Sequence, residues 1–538
     1  TPMAGDYIKA EGKAGRMGAR LMAIVVEGDR GRVYLAPTPE HEAAAHQANP
    51  TWVPEPEIAP DRRSMFTPLY GMTHFKHLFT PRQLVALTTF SDLVGEAREQ
   101  IRRDALDSGL PDDPKPLRDG GTGVAAYADA VGVYLAFAID RMAMTGNSLV
   151  RWNSTGEKAQ HCFGRQALPM LWDYAEPNFF ATATGSVNAA VFYSYDPLNW
   201  MQPVAPGLSN QQDAATQQVS IARVVSTDPP YYDNVPYSSL ADFFYIWLRR
   251  CLRAVHPELL ATLLVPKTEE LVANPFRQGG KEGAKAFFEE GFRSVFERVR
   301  AGASSEYPIT VYYAFKQSES DGDGEASSGW ETLLEGMIRS GWVITSTWPI
   351  RSELSNRMRG LGSNALASSI VISLRPRTTE AATTDRRGFI AALEAELPTA
   401  LRKLQQGAVA PVDLPQAAIG PGMAVFSRYS GVIENDGSKM TVRSALARIN
   451  EVLDAVLNEQ EGDFDPATRF AIQWYRQHGY RPGTFGDADS IARARNTSVD
   501  AMDRAGILVS RAGKVQLIRP GDLAWNYDVM LDTHASNW

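Results

Sequence analysis

Cysteine is the scarcest chemically informative residue in this chain. Only Cys162 and Cys251 occur among 538 residues, so neither a disulfide framework nor a cysteine-based zinc site can be built. The eight histidines are dispersed, and none shows the spacing of a metal-ligand pair. The composition therefore fits the reducing cytoplasm, and we expect no metal site.

Long apolar runs are also absent. No window approaches about 18 consecutive apolar residues, which excludes a transmembrane helix, and the first residues lack the apolar core of a signal peptide. The chain begins with Thr1 rather than Met, which indicates a fragment or a processed polypeptide. Nucleophile-elbow and phosphate-loop motifs are missing too, so hydrolase and nucleotidase functions have no support.

Positive charge is in deficit. The chain has 54 Lys and Arg residues against 62 Asp and Glu residues, a net charge of −8. That balance argues against a uniformly basic surface of the kind that coats nucleic acid. A nucleic-acid partner would therefore be bound by a local basic surface.

The length predicts two to four domains at about 100–200 residues each, and 44% apolar residues suffice for more than one core. Periodicity and capping signals predict helices at residues 81–102, 124–144, 238–252, 281–300, 330–340, 388–406, 443–458 and 466–478. We expect the helix at 124–144 to be buried on nearly all sides. β-Branched runs predict strands at 221–227, 308–315, 342–348 and 368–374, and a hairpin over 19–37. We interpret 318–328 as a loop and 375–387 as a linker.

The strongest chemical signal is the motif Asp-Pro-Pro-Tyr at residues 228–231, placed directly after a predicted strand. The carboxyl ends of strands are where α/β proteins form their sites. Two prolines remove two N–H donors and leave main-chain carbonyls free to accept. A planar base could stack on Tyr231 while Asp228 and the Pro229 carbonyl bind its exocyclic amine. The alternative interpretation is a proline-rich turn closed by an aromatic side chain.

Asp213 lies 15 residues before Asp228 and is followed directly by Ala214. An acidic residue followed by alanine at that offset is suited to bind the adenine amino group of a cofactor. A plain surface aspartate is the alternative.

The segment DAATQQVSIARVVSTDPPYYDNVPYSSLADFFYIWLRR resembles the amino-methyltransferase motifs around the fourth strand of the class I S-adenosylmethionine fold. Further motifs occur in family order: YIKAEGKAGRMG, LFTPRQL, FGRQALPMLWDYAEPN, AFKQSE, GWE and NALASSIVISLRPR. Over residues 1 to about 377 the chain resembles the large bacterial and archaeal adenine-specific DNA methylases. That family carries a domain of unknown function and a zinc ribbon, and its genes are often found near anti-phage genes.

The resemblance implies an α/β, Rossmann-like class I methyltransferase fold with a mixed sheet, incomplete at its N-terminal side. With it we expect three segments: a hairpin and linker at 1–60, a catalytic domain with helical insertions at 61–377, and a mostly helical domain at 378–538. The helix–helix–hairpin order of residues 466–518, rather than the resemblance, makes that region a candidate winged helix. It implies S-adenosylmethionine as cofactor and DNA as substrate. The implied catalytic residues are Asp228, Pro229, Pro230 and Tyr231, and the implied cofactor-binding residues are Asp213, Ala214, Phe79, Thr80 and Pro81.

The chain departs from the family at one essential point. A glycine-rich loop after the first strand, Asp-Pro-Phe-x-Gly-x-Gly in the family, lets the backbone approach the cofactor, and it is absent. The only glycine cluster before a helix is at 120–123, and the segment before it does not read as a strand. We therefore expect the loop to come from a missing N-terminal half or from a separate polypeptide.

DNA contacts are expected from side chains next to the motif and from a basic, glycine-rich loop between the last two strands, where the family's sheet has an antiparallel return. The candidates are Tyr232, Asn234, Arg351, Arg357 and Arg359. We interpret the charged helix at 281–300 as a solvated face. Arg493 and Arg495 lie on the middle segment of the candidate winged helix.

The sequence thus predicts a DNA adenine N6-methyltransferase of host modification or anti-phage defence. Two alternatives of the same class are a cytosine N4-methyltransferase and an RNA-base methyltransferase. A third is a catalytically incomplete DNA-binding subunit of a defence complex, which the missing glycine-rich loop keeps open.

Overall fold

The computed structural model describes residues 4–522 except 63, 202, 231, 233–234, 314–327, 352–367, 407–413, 463 and 495–496. Two compact units are formed. The first unit comprises residues 1–212 and 234–284, and the second comprises 213–233 and 285–538. The predicted segment 61–377 is therefore divided between the two units, and the strand that precedes Asp228 belongs to the second.

The first unit is mainly helical and contains two separate antiparallel hairpins, β1–β2 and β3–β4. Its helices and strands are α1 (Gly5–Lys13), β1 (Ile24–Gly28), β2 (Gly31–Leu35), α2 (Pro39–Ala45), α3 (Pro81–Asp107), α4 (Val124–Thr145), β3 (Arg151–Asn153), β4 (Lys158–Gln160), α5 (Val187–Tyr195) and α6 (Tyr237–Leu252). The predicted hairpin at 19–37 is confirmed as β1 and β2. None of the helices that the structure describes combines the length and the hydropathy of a transmembrane span.

Helices α3, α4 and α6 form the core of the first unit around Phe243 and Trp247, both fully buried. The predicted helix α4 is confirmed, but it is not buried all round: Tyr127 is 50% exposed and Phe137 is 44% exposed. Its apolar outer face is therefore in contact with solvent, although apolar content alone predicted burial.

Both cysteines lie in this core. Cys162 is 2% exposed and Cys251 is 8% exposed, and both thiols are free. Burial raises the pKa of each thiol to about 12 because a thiolate is poorly solvated there. Neither thiol has the character of a nucleophile.

The second unit is a mixed α/β structure. Its strands and helices are β5 (Ser226–Thr227), α7 (Lys281–Ala301, from the end of the first unit), β6 (Ile309–Tyr313), α8 (Ser328–Arg339), β7 (Trp342–Arg351), β8 (Ser368–Pro376), β9 (Thr383–Asp385), α9 (Arg386–Gln406), α10 (Leu414–Ser427), β10 (Gly431–Ile433), α11 (Val442–Gly462), α12 (Pro466–His478), β11 (Gly483–Thr484), α13 (Phe485–Ala494), α14 (Val499–Arg504), β12 (Leu508–Arg511) and β13 (Lys514–Leu517). All eight predicted helices are found among the helices of the two units: α12 has the predicted ends, and the others differ by a few residues. The predicted loop at 318–328 falls almost entirely outside the described residues.

The main sheet of the second unit has the strand order β5–β6–β8–β7. β5 is parallel to β6, whereas β8 is antiparallel to both of its neighbours. It follows that β7 runs parallel to β5 and β6, and that β8 is the only reversed strand in this sheet as described. The sheet is well buried, since Val311, Trp342 and Ile372 have no exposed surface.

Strand β5 is shorter than predicted. The β-branched run at 221–227 indicates a strand of seven residues, but only Ser226 and Thr227 pair with β6. Ala222 adopts a positive φ of 54°, and its N–H donates to the Gly302 carbonyl at 2.9 Å. This local turn removes the first part of the run from the sheet. The expectation that Asp228 directly follows a strand is confirmed.

Residues 465–522, here called the C-terminal subdomain, have their own hydrophobic core. Phe470 and Trp474 stack with ring centroids 5.7 Å apart, and buried side chains of α13, α14 and the strands surround them. The strands form an antiparallel sheet of order β11–β13–β12. The element order is therefore helix, strand, helix, helix, strand, strand.

The two-residue turn between β12 and β13 has a positive φ at Ala512 (50°) and at Gly513 (73°). Such a turn favours Asn-Gly, and alanine with φ above zero is strained by about 1–2 kcal/mol. We expect Ala512→Asn to raise the opening free energy of the hairpin by about 0.5–1 kcal/mol. Slower hydrogen exchange of the β12–β13 amides would measure it. Ala501→Asn in α14 is the control, because its helical backbone gives asparagine no advantage. Equal exchange in the Ala512→Asn protein and the wild type would contradict the prediction.

Candidate functional site

The carboxyl end of β5 presents an available carboxylate. Asp228 follows Thr227 directly and is exposed, and its side chain has no hydrogen-bond or ion-pair partner among the described residues. β5 is the outer strand of its sheet, and the Ser226 hydroxyl accepts a hydrogen bond from Thr310 of β6 at 3.1 Å. The strand is therefore fixed on one side while the carboxylate that follows it remains open to a ligand.

Pro229 and Pro230 continue from Asp228 and are half-buried. Proline has no N–H, and within the described part of the chain no backbone donor binds the Pro229 carbonyl. A carboxylate and a carbonyl in adjacent residues thus form an acceptor pair without an intervening donor. Two acceptors of this kind match the two hydrogens of an exocyclic amine. Tyr231 lies outside the described residues, as does Asn234.

Tyr232 packs edge-on against Phe288 of α7, with ring centroids 5.0 Å apart. Phe288 and Phe292 are also in contact, at 4.3 Å, and both are buried. The aromatic row on α7 thereby anchors the residue that follows the motif. Tyr232 therefore has a structural role, in addition to the DNA contact that the sequence predicts for it.

Asp213 organises a turn. Its Oδ1 accepts the Ala215 N–H at 3.0 Å, and its Oδ2 accepts the Thr216 hydroxyl at 3.1 Å. Each carboxylate oxygen has two acceptor positions, so each oxygen keeps capacity for one further donor. Ala214 is exposed. No hydrogen bond connects the Asp213 turn with Asp228 in the described ranges, although both belong to the second unit.

Arg298 of α7 holds the Asp213 turn in place. Its Nε donates to the Gln217 carbonyl at 2.6 Å. Arg300 likewise donates to the Gly341 carbonyl at 3.0 Å, whereas Arg293 pairs with Glu290 and Glu297 on its own helix. The interpretation of this helix as a solvated face therefore holds for Arg293 and is wrong for Arg298 and Arg300. Sequence reasoning missed both, because their partners are carbonyls that no local pattern marks.

The Phe-Thr-Pro segment at 79–81 lies in the first unit. Phe79 is 6% exposed and stacks on Phe243 at 5.7 Å, so its ring belongs to the core. Thr80 caps α3 by accepting the Gln83 N–H at 3.2 Å, and Pro81 occupies the first turn. The predicted cap is confirmed, and this segment has a complete structural explanation.

A carboxylate of the chain itself lies at the amino end of α3. Glu176 accepts two hydrogen bonds from Arg82, at 2.8 and 2.9 Å, and one from the Thr80 hydroxyl at 3.4 Å. The hydrogen bonds that Arg82 donates to Glu176 raise the pKa of Arg82 above its ordinary value. A small cleft of about 170 Å³ adjoins this pair. An external carboxylate at this position would have to compete with Glu176.

The glycine cluster at 120–123 serves a tight turn. A Cβ at Gly121 would lie 1.9 Å from the Lys115 carbonyl oxygen, and one at Gly123 would lie 2.6 Å from that of Pro111. A short 3₁₀ helix, Leu117–Asp119, precedes the cluster. The cluster therefore follows no strand, as the sequence predicts.

The predicted basic loop is mostly beyond the described residues. Arg351 is the last residue of β7, and Arg357 and Arg359 fall in the undescribed segment 352–367. The antiparallel pairing of β7 with β8 on either side of that segment is present. Arg493 is exposed and pairs with Asp489 at 2.7 Å, while Arg495 lies outside the described residues.

Another cleft, of about 400 Å³, lies in the second unit between α7, α8 and α11. Its cations are close to carboxylates, as in the pair Arg443–Glu331 at 2.8 Å. Because these cations and carboxylates neutralise each other, the cleft favours neither an anionic nor a cationic ligand. Among the described residues, no group of three His, Cys, Asp or Glu side chains is placed to hold a metal ion.

Comparison with known proteins gives one finding. Residues 465–538 match a domain of unknown function (DUF8807), and this range includes the C-terminal subdomain. No curated protein and no solved structure gives a significant match to the chain.

Proposed function

We propose that the chain forms the target-base half of a DNA methyltransferase that transfers methyl from S-adenosylmethionine to adenine N6. One observation carries the proposal: at the carboxyl end of β5 the exposed Asp228 carboxylate lies beside the Pro229 carbonyl, and neither has a partner among the described residues. A role in host modification or anti-phage defence follows from the resemblance alone.

In this proposal Asp228 and the Pro229 carbonyl accept the two hydrogens of the adenine amine. Those two bonds orient the nitrogen lone pair toward the methyl group, which S-adenosylmethionine supplies when bound. Positive charge develops on the nitrogen as it attacks, and the carboxylate of Asp228 stabilises that charge. The base must leave the duplex stack to reach these acceptors, and Tyr231 provides an aromatic surface on which it can stack.

The sheet supports the same proposal. The resemblance implies a fourth strand that ends at the motif and an antiparallel return between the last strands. β5 precedes the motif, and β8 is antiparallel to its neighbours β6 and β7. These are features that the resemblance implies for the carboxyl-terminal half of the sheet, and they support the proposal.

The fit to the cofactor is only partial. Asp213 retains acceptor capacity for an adenine amino group, and Arg298 fixes its turn. The glycine-rich loop that would approach the centre of the cofactor is absent from the sequence. We therefore propose that this loop is supplied by additional N-terminal sequence or by a separate polypeptide. The same absence favours, as a second candidate, a catalytically incomplete DNA-binding subunit.

Product analysis tests the proposed function. The chain, alone and with the loop-bearing sequence fused or added in trans, is incubated with DNA and S-adenosylmethionine tritiated in the methyl group. After digestion to nucleosides we expect the label in N6-methyldeoxyadenosine. Label in N4-methyldeoxycytidine, or only in an RNA substrate, would contradict the adenine assignment. Absence of label on every substrate would contradict the enzymatic function and leave the DNA-binding subunit.

A further inference from the structure

The tip of the β12–β13 hairpin presents two unneutralised cations. Arg511 and Lys514 face each other directly across the two-residue turn, and both are exposed. No carboxylate of the described residues lies within ion-pair distance of either side chain. Arg82 and Arg428, by contrast, are each paired with a glutamate.

This pairing does not serve stability. Like charges directly opposite each other in an antiparallel pair are destabilising, and the strained Ala512 lies between them. The β1–β2 hairpin shows the stabilising arrangement, since Glu27 is opposite Arg32 there at 3.5 Å. Unfavourable local features that persist at an exposed tip indicate a ligand that compensates for them.

The surrounding subdomain is basic, in contrast to the chain. Residues 465–522 contain nine Arg and Lys residues against six Asp and no Glu, whereas the whole chain has a net charge of −8. Helix α14 carries Asp500 and Asp503 against Arg504 and so has no net positive charge. The two cations of the hairpin tip therefore belong to a subdomain whose net charge attracts an anion.

We propose that the β12–β13 tip binds the phosphate backbone of duplex DNA through Arg511 and Lys514. The element order of the subdomain is that of the winged helix predicted from the sequence, and this hairpin is its wing. The inference deepens the proposed function, on which its choice of DNA rests, by naming a surface that holds the duplex while a base is engaged elsewhere. It shifts the predicted contact from Arg493, which is already paired with Asp489, to the wing.

Phosphate, rather than the bases, is the group that these residues fit. Arginine binds phosphate oxygens in a bidentate manner and lysine binds them as a point charge. The turn Arg-Ala-Gly-Lys offers neither an aromatic ring for stacking nor an amide for reading a base edge. Contacts of this kind position a protein on DNA without reading sequence.

The test is the salt dependence of duplex binding by the full chain without cofactor. Fluorescence anisotropy with a labelled duplex of about 20 base pairs gives the dissociation constant at several salt concentrations. Each phosphate contact contributes about 0.9 to the slope of log affinity against log salt. We expect R511A/K514A to weaken binding about tenfold or more at low salt and to reduce the slope by about two.

Matched variants make the result specific. R402A/K403A removes two exposed cations from α9, and both affinity and slope should stay at the wild-type values. R511K/K514R keeps both charges and should keep the slope. A variant whose hairpin was misfolded would lose it. Unchanged affinity and slope in R511A/K514A would overturn the proposal, as would tighter, wing-dependent binding of duplex RNA than of DNA. Because no methyl transfer is measured, failure of the proposed enzymatic function would leave this result unaffected.

Discussion

Asp228→Ala is expected to reduce methyl transfer at least about a hundredfold, or ~2.7 kcal/mol in transition-state stabilisation. The side chain is exposed and has no partner within the described residues, so its removal disturbs no internal contact. Its loss removes both an acceptor for the target amine and the charge that stabilises the attacking nitrogen. Duplex affinity should change less than about twofold, because Asp228 makes no phosphate contact in this mechanism. Tritium transfer to DNA measures the rate, with the loop-bearing sequence supplied.

Two variants accompany this measurement. Asp173→Ala removes another exposed carboxylate, in the first unit, and should leave transfer unchanged. Asp228→Asn keeps an acceptor but not the charge, and its rate should fall between those of the alanine variant and the wild type. Transfer by Asp228→Ala within about tenfold of the wild type, a loss of only ~1.4 kcal/mol, would refute the catalytic assignment.

The second large effect concerns cofactor affinity. We expect residues 1–538 alone to bind S-adenosylmethionine at least about a hundredfold more weakly than the same chain with the glycine-rich loop supplied. The added loop would contribute several hydrogen bonds at about 0.5–1.5 kcal/mol each, together with burial of the adenosyl group. Two decades in the dissociation constant correspond to ~2.7 kcal/mol. Calorimetric titration of the two forms measures the difference.

Asp228→Ala is the control for this titration, because a residue that binds the target amine should not alter cofactor affinity. Tight binding by residues 1–538 alone would contradict the prediction. The glycine cluster at 120–123 would then be the first candidate for the loop. Its glycines are already explained, however, by the close approach of the Lys115 and Pro111 carbonyls.

Elements with local signals could be predicted from the sequence. The Thr80 cap and Pro81 specify the start of α3, and the run at 308–315 specifies β6. Helix α10 could not be predicted, since it contains Pro421 between two glycines. A Cβ at Gly420 would lie 1.7 Å from the Thr347 hydroxyl of β7. Close tertiary packing, which a local pattern does not encode, therefore requires the residues that obscure this helix.

The candidate site likewise combines features set by local sequence with features set by long-range contacts. The position of Asp228 after a strand could be predicted, because motif and strand are contiguous. The contact of Arg82 with Glu176 joins residues 94 positions apart, and that of Arg298 with Gln217 joins residues 81 apart. Many other partners were available to either arginine, so the sequence alone does not predict these two contacts. The like-charged wing tip was detectable in principle, since a two-residue turn places its flanking residues opposite each other.

The location of both thiols in one core has a practical consequence. Cys162 and Cys251 belong to the first unit, and the second unit contains no cysteine. Because each thiol is buried and its pKa is raised to about 12, alkylation at neutral pH requires that the core open. The rate of modification by a maleimide therefore reports opening of the first unit alone. In the native chain, without any engineered label, a change in this rate on addition of DNA or cofactor would show that the ligand alters the opening of the first unit.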